Sequence, residues 1–126
     1  MNTTPKVFII QRPRPKADGW LPNFDSAAKF GAIHYIFDEN YRAHANTLKA
    51  KEDAINKLEE YNPSCDYILP TVFGDPAAVW IVVSAICQIC FHERVSVAKF
   101  LYWSRGRGEQ GMSNENGYYE ECLVPV

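Results

Sequence analysis

Short apolar runs alternate with amphipathic and polar stretches along the chain, and that alternation predicts an α/β domain. Val7-Phe8-Ile9-Ile10 is a compact β-branched and aromatic run. It reads as a strand covered on both faces. Gln11 to Pro22 holds three prolines and a glycine, which forbid regular structure and predict a long loop. Phe24 to Gly31 has the pattern of a short helix, with Asp25 or Ser26 as N-cap and Gly31 as a left-handed terminator. Ala32 to Phe37 is a second strand. His34 and Ile36 face one side of it, and Ile33, Tyr35 and Phe37 the other.

Asp38 to Ala45 is polar and irregular. Asn46 then caps a helix over Thr47 to Tyr61, where Leu48, Ala54, Ile55 and Leu58 make an apolar stripe opposite Lys and Glu. Asn62-Pro63-Ser64 stops it. Tyr67-Ile68-Leu69 begins a third strand. Gly74-Asp75-Pro76 feeds the next helix, with Asp75 at the N-cap and Pro76 at the first helical position. That helix runs to about His92 and is apolar nearly all round, which predicts burial against a sheet and under a further cover. Val95 to Trp103 is the fourth strand, Ser104 to Asn116 a glycine-rich loop, and Gly117 to Val126 an edge strand antiparallel to the fourth.

The order β-α-β-α-β-α-β-β predicts a small three-layer α/β sandwich, with a mostly parallel sheet closed by a C-terminal antiparallel hairpin. The 126 residues make one domain, without internal repeat or domain-sized linker.

Several of these segments resemble a known pattern. Phe24-Asp25-Ser26-Ala27-Ala28-Lys29-Phe30-Gly31, then Asp66-Tyr67-Ile68-Leu69, Gly74-Asp75-Pro76 and Leu101-Tyr102-Trp103 are similar to small α/β proteins encoded by bacteriophages and prophages. The resemblance covers Phe24 to Val124. In the pattern the Asp-Tyr strand leads directly into Gly-Asp-Pro, whereas here Pro70-Thr71-Val72-Phe73 intervenes. It implies a virus accessory protein working in the host cytoplasm. It supplies neither an activity nor a catalytic residue.

Composition narrows the classes. Hydrophobic residues at 47% and charged residues at 22% exclude whole-chain disorder, collagen and coiled coil. Thirteen basic and fifteen acidic side chains leave a net charge of -2, so the whole protein is not a basic nucleic-acid coat. Cys65, Cys87, Cys90 and Cys122 do not spread as a secreted disulfide framework, and the N-terminus lacks a signal-peptide core. They are read as reduced and cytosolic. Pro76 to Phe91 carries no charge over 16 residues. A membrane span needs about 20, so this is read as a core helix and no membrane partner is expected.

Individual motifs argue weakly for chemistry. Cys87-Gln88-Ile89-Cys90, followed by His92, has no second pair to complete a zinc site. It lies near a helix C-terminus, where the dipole disfavours thiolate. Core cysteines are the plainer reading, and neither metal nor cofactor is expected. Gly74-Asp75-Pro76 lacks both the Gly-Lys-Ser/Thr and the three-glycine phosphate fingerprints. Ser104-Arg105-Gly106-Arg107-Gly108 has Arg-Gly character, but acidic residues follow closely.

The collective signal is stronger. Ligands of parallel sheets bind at the carboxyl ends of the strands. The loops there carry Arg12, Arg14 and Lys16, then Tyr41, Arg42 and His44, then Thr71, Phe73 and Asp75, with Arg105 and Arg107 after the fourth strand. Trp20 in the first of these loops is a candidate interaction hot spot. Three functions compete. One is a non-catalytic module binding a host protein or nucleoprotein, for host modulation or counter-defence. Another is a nucleotide or other phosphate-ligand module at the basic edge, where arginines would clamp an anionic small ligand. The last is a small enzyme using His44 with Asp75 as acid–base groups, which requires the two within hydrogen-bond reach. Without a catalytic fingerprint, binding is favoured over catalysis. The unpaired terminal edge strand is a candidate homodimer surface.

Overall fold

The computed structural model describes residues 4–70, 74–104 and 118–126. Among them, five strands form one sheet in the order β2-β1-β3-β4-β5. The strands are β1 (Lys6–Gln11), β2 (Ala32–Phe37), β3 (Tyr67–Leu69), β4 (Val97–Ser104) and β5 (Tyr118–Pro125). β1 to β4 run parallel, and β5 pairs antiparallel with β4 from Val97↔Pro125 to Ser104↔Tyr118. The helices are α1 (Thr47–Lys57) and α2 (Pro76–Glu93). An α/β domain with a mostly parallel sheet and a closing antiparallel pair is therefore present.

The strand order decides which face each connection covers. The chain steps one way from β1 to β2, then the other way from β2 to β3 and β3 to β4. Right-handed crossovers then put α1 and α2 on the same face and the first connection on the opposite face. Packing follows that rule. Ala50 and Ala54 of α1 and Ala78, Val82, Ala85 and Ile86 of α2 cluster with Phe8, Ile10, Ile68 and Phe100. On the other face, Val7, Ile9, Leu69, Leu101 and Tyr119 are covered by Ala27, Phe24 and Phe30.

That second cover corrects the three-layer expectation. The segment Asp25–Phe30 is a 3-10 helix of six residues, not an α-helix, too short for a layer of its own. Gly31 does not terminate it in the left-handed conformation either: its φ is 159° and its ψ 174°. The chain passes straight into β2, and a Cβ at Gly31 would lie 2.3 Å from the Pro5 carbonyl oxygen. Close approach of two backbone segments, not a turn, is what this glycine serves.

Other boundaries moved for local reasons. α1 ends at Lys57 rather than Tyr61, with Leu58 as its cap. A tight turn, Tyr61 N–H to Leu58 O at 3.0 Å, lets the Tyr61 ring meet Phe8 edge-on. Leu48 is exposed rather than part of the buried stripe, which is Ala50, Ala54 and Leu58. α2 begins as read, with Asp75 accepting from the Ala77 N–H and Pro76 in the first turn. It closes with Arg94 in the left-handed conformation, and the Val95 N–H bonds the Cys90 carbonyl at 2.9 Å. That capping use of Val95 delays β4 to Val97. Phe37 leaves the alternation of β2 and joins the helix-side core, stacked on Tyr41. Cys90 is buried in the core, but Cys87 is exposed. α2 is not covered on its outer side by any described residue that buries Trp80 or Phe91, which are 70% and 82% exposed.

Gly31→Ala is expected to destabilise the domain by about 1–3 kcal/mol through overpacking, because the opposing atoms are backbone. Urea unfolding checks this; an unchanged midpoint would mean that Pro5 has room to retreat.

Candidate functional site

β1 and β3 lie side by side, and their outgoing connections part toward opposite faces. The gap at their carboxyl ends is where a doubly wound sheet places its ligands. Here the protein's own Gln11 occupies that position. It is 3% exposed. Its Nε2 donates to the Asp38 carbonyl at 3.1 Å and to the Tyr41 carbonyl at 2.9 Å. Its Oε1 accepts from the Asp75 N–H at 2.9 Å. One amide thus ties the loop after β2 to the start of α2. Gly74 makes this reachable: its φ is +116°, and a Cβ there would sit 2.4 Å from the Gln11 oxygen. Sequence reading missed Gln11. The available signal was a polar residue directly after a fully apolar strand.

Asp75 is the second organising group. Oδ1 accepts from the Ala77 N–H at 3.0 Å. Oδ2 accepts from the His44 N–H at 3.0 Å and lies 2.5 Å from His44 Nδ1. A carboxylate can only accept, so Nδ1 carries the shared proton. His44 Nε2 faces outward, 3.4 Å from Arg42 Nη2. Burial pushes the Asp75 carboxyl up, but the hydrogen bonds from His44 and Ala77 outweigh it and hold the group below its ordinary value. His44 and Asp75, far apart in sequence, are therefore in direct contact. The His44 side chain is 54% exposed and that of Asp75 12%.

This arrangement uses up the donors at the start of α2. The Asp75 N–H serves Gln11, the Ala77 N–H serves the Asp75 side chain, and the Ala78 N–H bonds the Asp75 carbonyl. A helix N-terminus binds phosphate through such groups. Here they are already satisfied, and a carboxylate stands in front of them.

The described basic side chains of this edge are likewise engaged within the chain: Arg12 and Arg14 both reach the Glu39–Asn40 segment, while Lys16 and Arg42 have other partners. The Arg12 guanidinium lies over the Tyr35 ring at 4.0 Å, with Nε 3.9 Å from Glu39. Arg14 donates to Asn40 Oδ1 at 2.9 Å and to the Glu39 carbonyl at 3.3 Å. Lys16 sits over Trp20 at 4.9 Å. Arg42 stands apart, beside His44. Tyr41 stacks on Phe37 with ring centroids 4.3 Å apart and donates to Asp53 at 2.5 Å. Burial and the Asp53 carboxylate push its hydroxyl up to about 12. Its ring is thus a buttress between β2 and α1. His34 stacks on Phe8, a structural role. Thr71, Phe73, Arg105 and Arg107 lie outside the described residues.

Two clefts flank the edge strand β2 and share Tyr35. One, of about 540 Å³, is lined by Arg12, Tyr35, Phe37, Tyr41, Asp53 and Lys57. The other, of about 510 Å³, is lined by Leu21, Pro22, Phe24, Ala28, Ile33 and Tyr35. The lining of the second is mixed, with Asn23 and Asp25 among its apolar side chains, and Trp20 and Leu21 stand at 47% exposure on the same loop. An aromatic row continues from it: Tyr35 to Phe24, Phe24 to Tyr119 and Tyr119 to Trp103, with centroid distances of 6.5, 6.5 and 4.9 Å. Trp103 is itself exposed. Sequence reading did not assemble this row, because its members come from four separate segments.

Two predictions follow from these networks. Gln11→Met keeps the bulk of the side chain and removes all three hydrogen bonds. It is expected to lower stability by about 2–3 kcal/mol, since the buried Asp75 N–H and two carbonyls lose their partner; a urea midpoint within error of wild type would remove Gln11 from its central role. Asp75 contributes stability through a lowered folded pKa. That contribution is fully present above the unfolded value near 4 and is lost as pH falls through the folded value. Asp75→Asn retains a capping oxygen and is expected to lose about 1 kcal/mol at neutral pH. Its deficit should shrink as pH is taken below about 4. Unfolding measured across that range checks the sign, and a constant deficit would contradict it.

The chain was compared with known proteins. No curated protein and no solved structure matches it. A family model described as phage Pam3 gp32-like protein matches residues 5–111, which takes in β1 to β4, both α-helices and every organising group above. The chain belongs to the phage Pam3 gp32-like protein family.

Proposed function

We propose that this phage protein is an accessory module that binds a host protein through the surface built by Trp20, Leu21 and the cleft beside them. It would act in the host cytoplasm, to redirect host machinery or blunt a defence. The observation that carries the reading is a contrast on one edge of the sheet. The arginines turn to groups of the chain itself, whereas Trp20 and Leu21 remain half exposed beside a cleft of about 510 Å³ that sets Pro22, Phe24, Ile33 and Tyr35 beside Asn23 and Asp25. Large aromatics in such a setting supply most of the energy of a protein interface. The phosphate-ligand reading has less support, because the α2 N-terminus donates internally, Arg12 and Arg14 are held at Glu39 and Asn40, and Arg42 stands beside His44.

A second reading has one observation in its favour. The His44–Asp75 contact is that of an acid–base pair, with Nε2 turned outward. Neither of the two clefts described above includes His44.

A photo-crosslinking residue placed at Trp20 tests the binding reading in host lysate. One host polypeptide is expected, retained after nuclease treatment and lost with Leu21→Asp. With that polypeptide purified, Trp20→Ala should weaken binding about thirtyfold, the scale of a hot-spot residue. His44→Asn should leave binding unchanged. Capture that disappears with nuclease would move the reading to a nucleoprotein. A probe at Lys51 giving the same product would sink it.

A further inference from the structure

The outer face of α2 has a pattern that the binding edge does not use. Pro76, Trp80, Ser84, Cys87 and Phe91 are all exposed and fall on one stripe of the helix, with half-buried Val83 beside it. None is charged. Trp80 and Phe91 mark its two ends, eleven residues or about 16 Å apart along the axis. Between them stand only the small side chains of Ser84 and Cys87. The opposite face of α2, with Ile81, Val82 and Ile86, is buried against the sheet.

We propose that this stripe is the interface of a homodimer, in which α2 of one chain packs antiparallel against α2 of a second copy. The stripe is self-complementary under a two-fold axis. An axis midway between Trp80 and Phe91 sets Trp80 of one chain opposite Phe91 of the other. The same axis sets Ser84 opposite Cys87, so small side chains meet at the centre, where helices pack about 8–10 Å apart. The antiparallel arrangement also places each helix N-terminus beside the other's C-terminus, the favourable orientation of the two dipoles.

The area is that of a small, weak self-contact, and an uncharged stripe suits a second copy of itself. A large aromatic carries about 150–250 Å². At 70% and 82% exposure the two rings leave roughly 300 Å² per chain in water. Four rings therefore bring about 600 Å², half of the ~1,200 Å² at the lower bound of specific interfaces, and Pro76, Val83, Ser84 and Cys87 add to it. The result is a weak dimer in the micromolar range. A charged partner finds no complementary group on the stripe. A membrane surface is favoured by a flank of several Lys and Arg, and α2 has none between Pro76 and Glu93 and Arg94 alone at its C-terminus. The terminal edge strand β5 is a poorer surface for self-pairing, because adjacent Glu120 and Glu121 blunt it.

Sedimentation of the full chain between about 1 µM and 1 mM under reducing conditions tests the proposal. The mass is expected to rise from monomer toward dimer. Trp80→Lys and Phe91→Lys should stay monomeric while keeping the wild-type thermal midpoint, since both side chains stand in solvent. A second variant fixes the register. Ser84→Cys in a Cys122→Ser background should form a covalent dimer on mild oxidation, through the introduced thiol and Cys87 of the second copy. The Cys122→Ser, Cys87→Ala chain should not. Any of four results would overturn the proposal: a monomer throughout, a dimer that survives both lysine substitutions, a dimer abolished instead by changes along β5, or a lipid-vesicle complex lost with Trp80→Lys in a chain that never dimerises. Because host-protein capture is read at Trp20, on the opposite face, its failure leaves this test intact.

Discussion

The carboxyl edge of this sheet depends on one buried amide. Gln11 is the last residue of β1, and from there it holds two carbonyls of one loop and the N–H of Asp75, which caps α2. No other side chain of similar length could do this. Glutamate lacks the donors, lysine lacks the acceptor, and methionine lacks both. The buried groups it serves would otherwise each cost free energy in an environment with little water. A site that in related architectures receives a ligand is here filled from within. What the described residues of this edge offer a partner lies on its rim.

The strand order distributes that rim unevenly. Both α-helices fall on one face because two successive crossovers step in the same direction. The other face receives a six-residue 3-10 helix and a proline-rich loop. A thin cover leaves aromatic side chains partly in water, and so Trp20, Leu21 and Trp103 stand exposed while Phe24, Tyr35 and Tyr119 pack beneath them. The thinness follows from chain length. Twenty residues separate β1 from β2, and the proline-rich part of them cannot enter a helix.

Much of this was legible in the residues, and the remainder was not for definable reasons. β1 and β2, the capped starts of α1 and α2, the parallel sheet and its antiparallel closure all followed from local signals such as Asn46 and Asp75. Those signals are local hydrogen bonds, and local chemistry is what a sequence displays. The destinations of long side chains are tertiary facts. Arg12, Arg14 and Arg42 sit at one edge, as reading the loops suggested, but Arg12 and Arg14 turn to Glu39 and Asn40 and Arg42 to His44. Periodicity likewise marked α2 as apolar all round without telling which side would be left uncovered. Gln11 escaped notice because its value lies in three partners that are distant in sequence.

The two surfaces left open lie on opposite sides of the sheet: the aromatic loop on the thinly covered face and the α2 stripe on the helical face. That opposition has a consequence for binding. A two-fold axis through α2 would turn both aromatic surfaces outward, away from the axis and from each other. Neither would block the other, and a dimer would present two identical sites to partners. Where partners are themselves repeated, as in a multimeric host assembly, the second contact becomes intramolecular and its effective concentration rises, so modest single-site affinity suffices. A small chain with a limited core has little surface to devote to one large interface. Two weak surfaces on opposite faces are a physically economical alternative, since neither needs the area of a stable complex by itself.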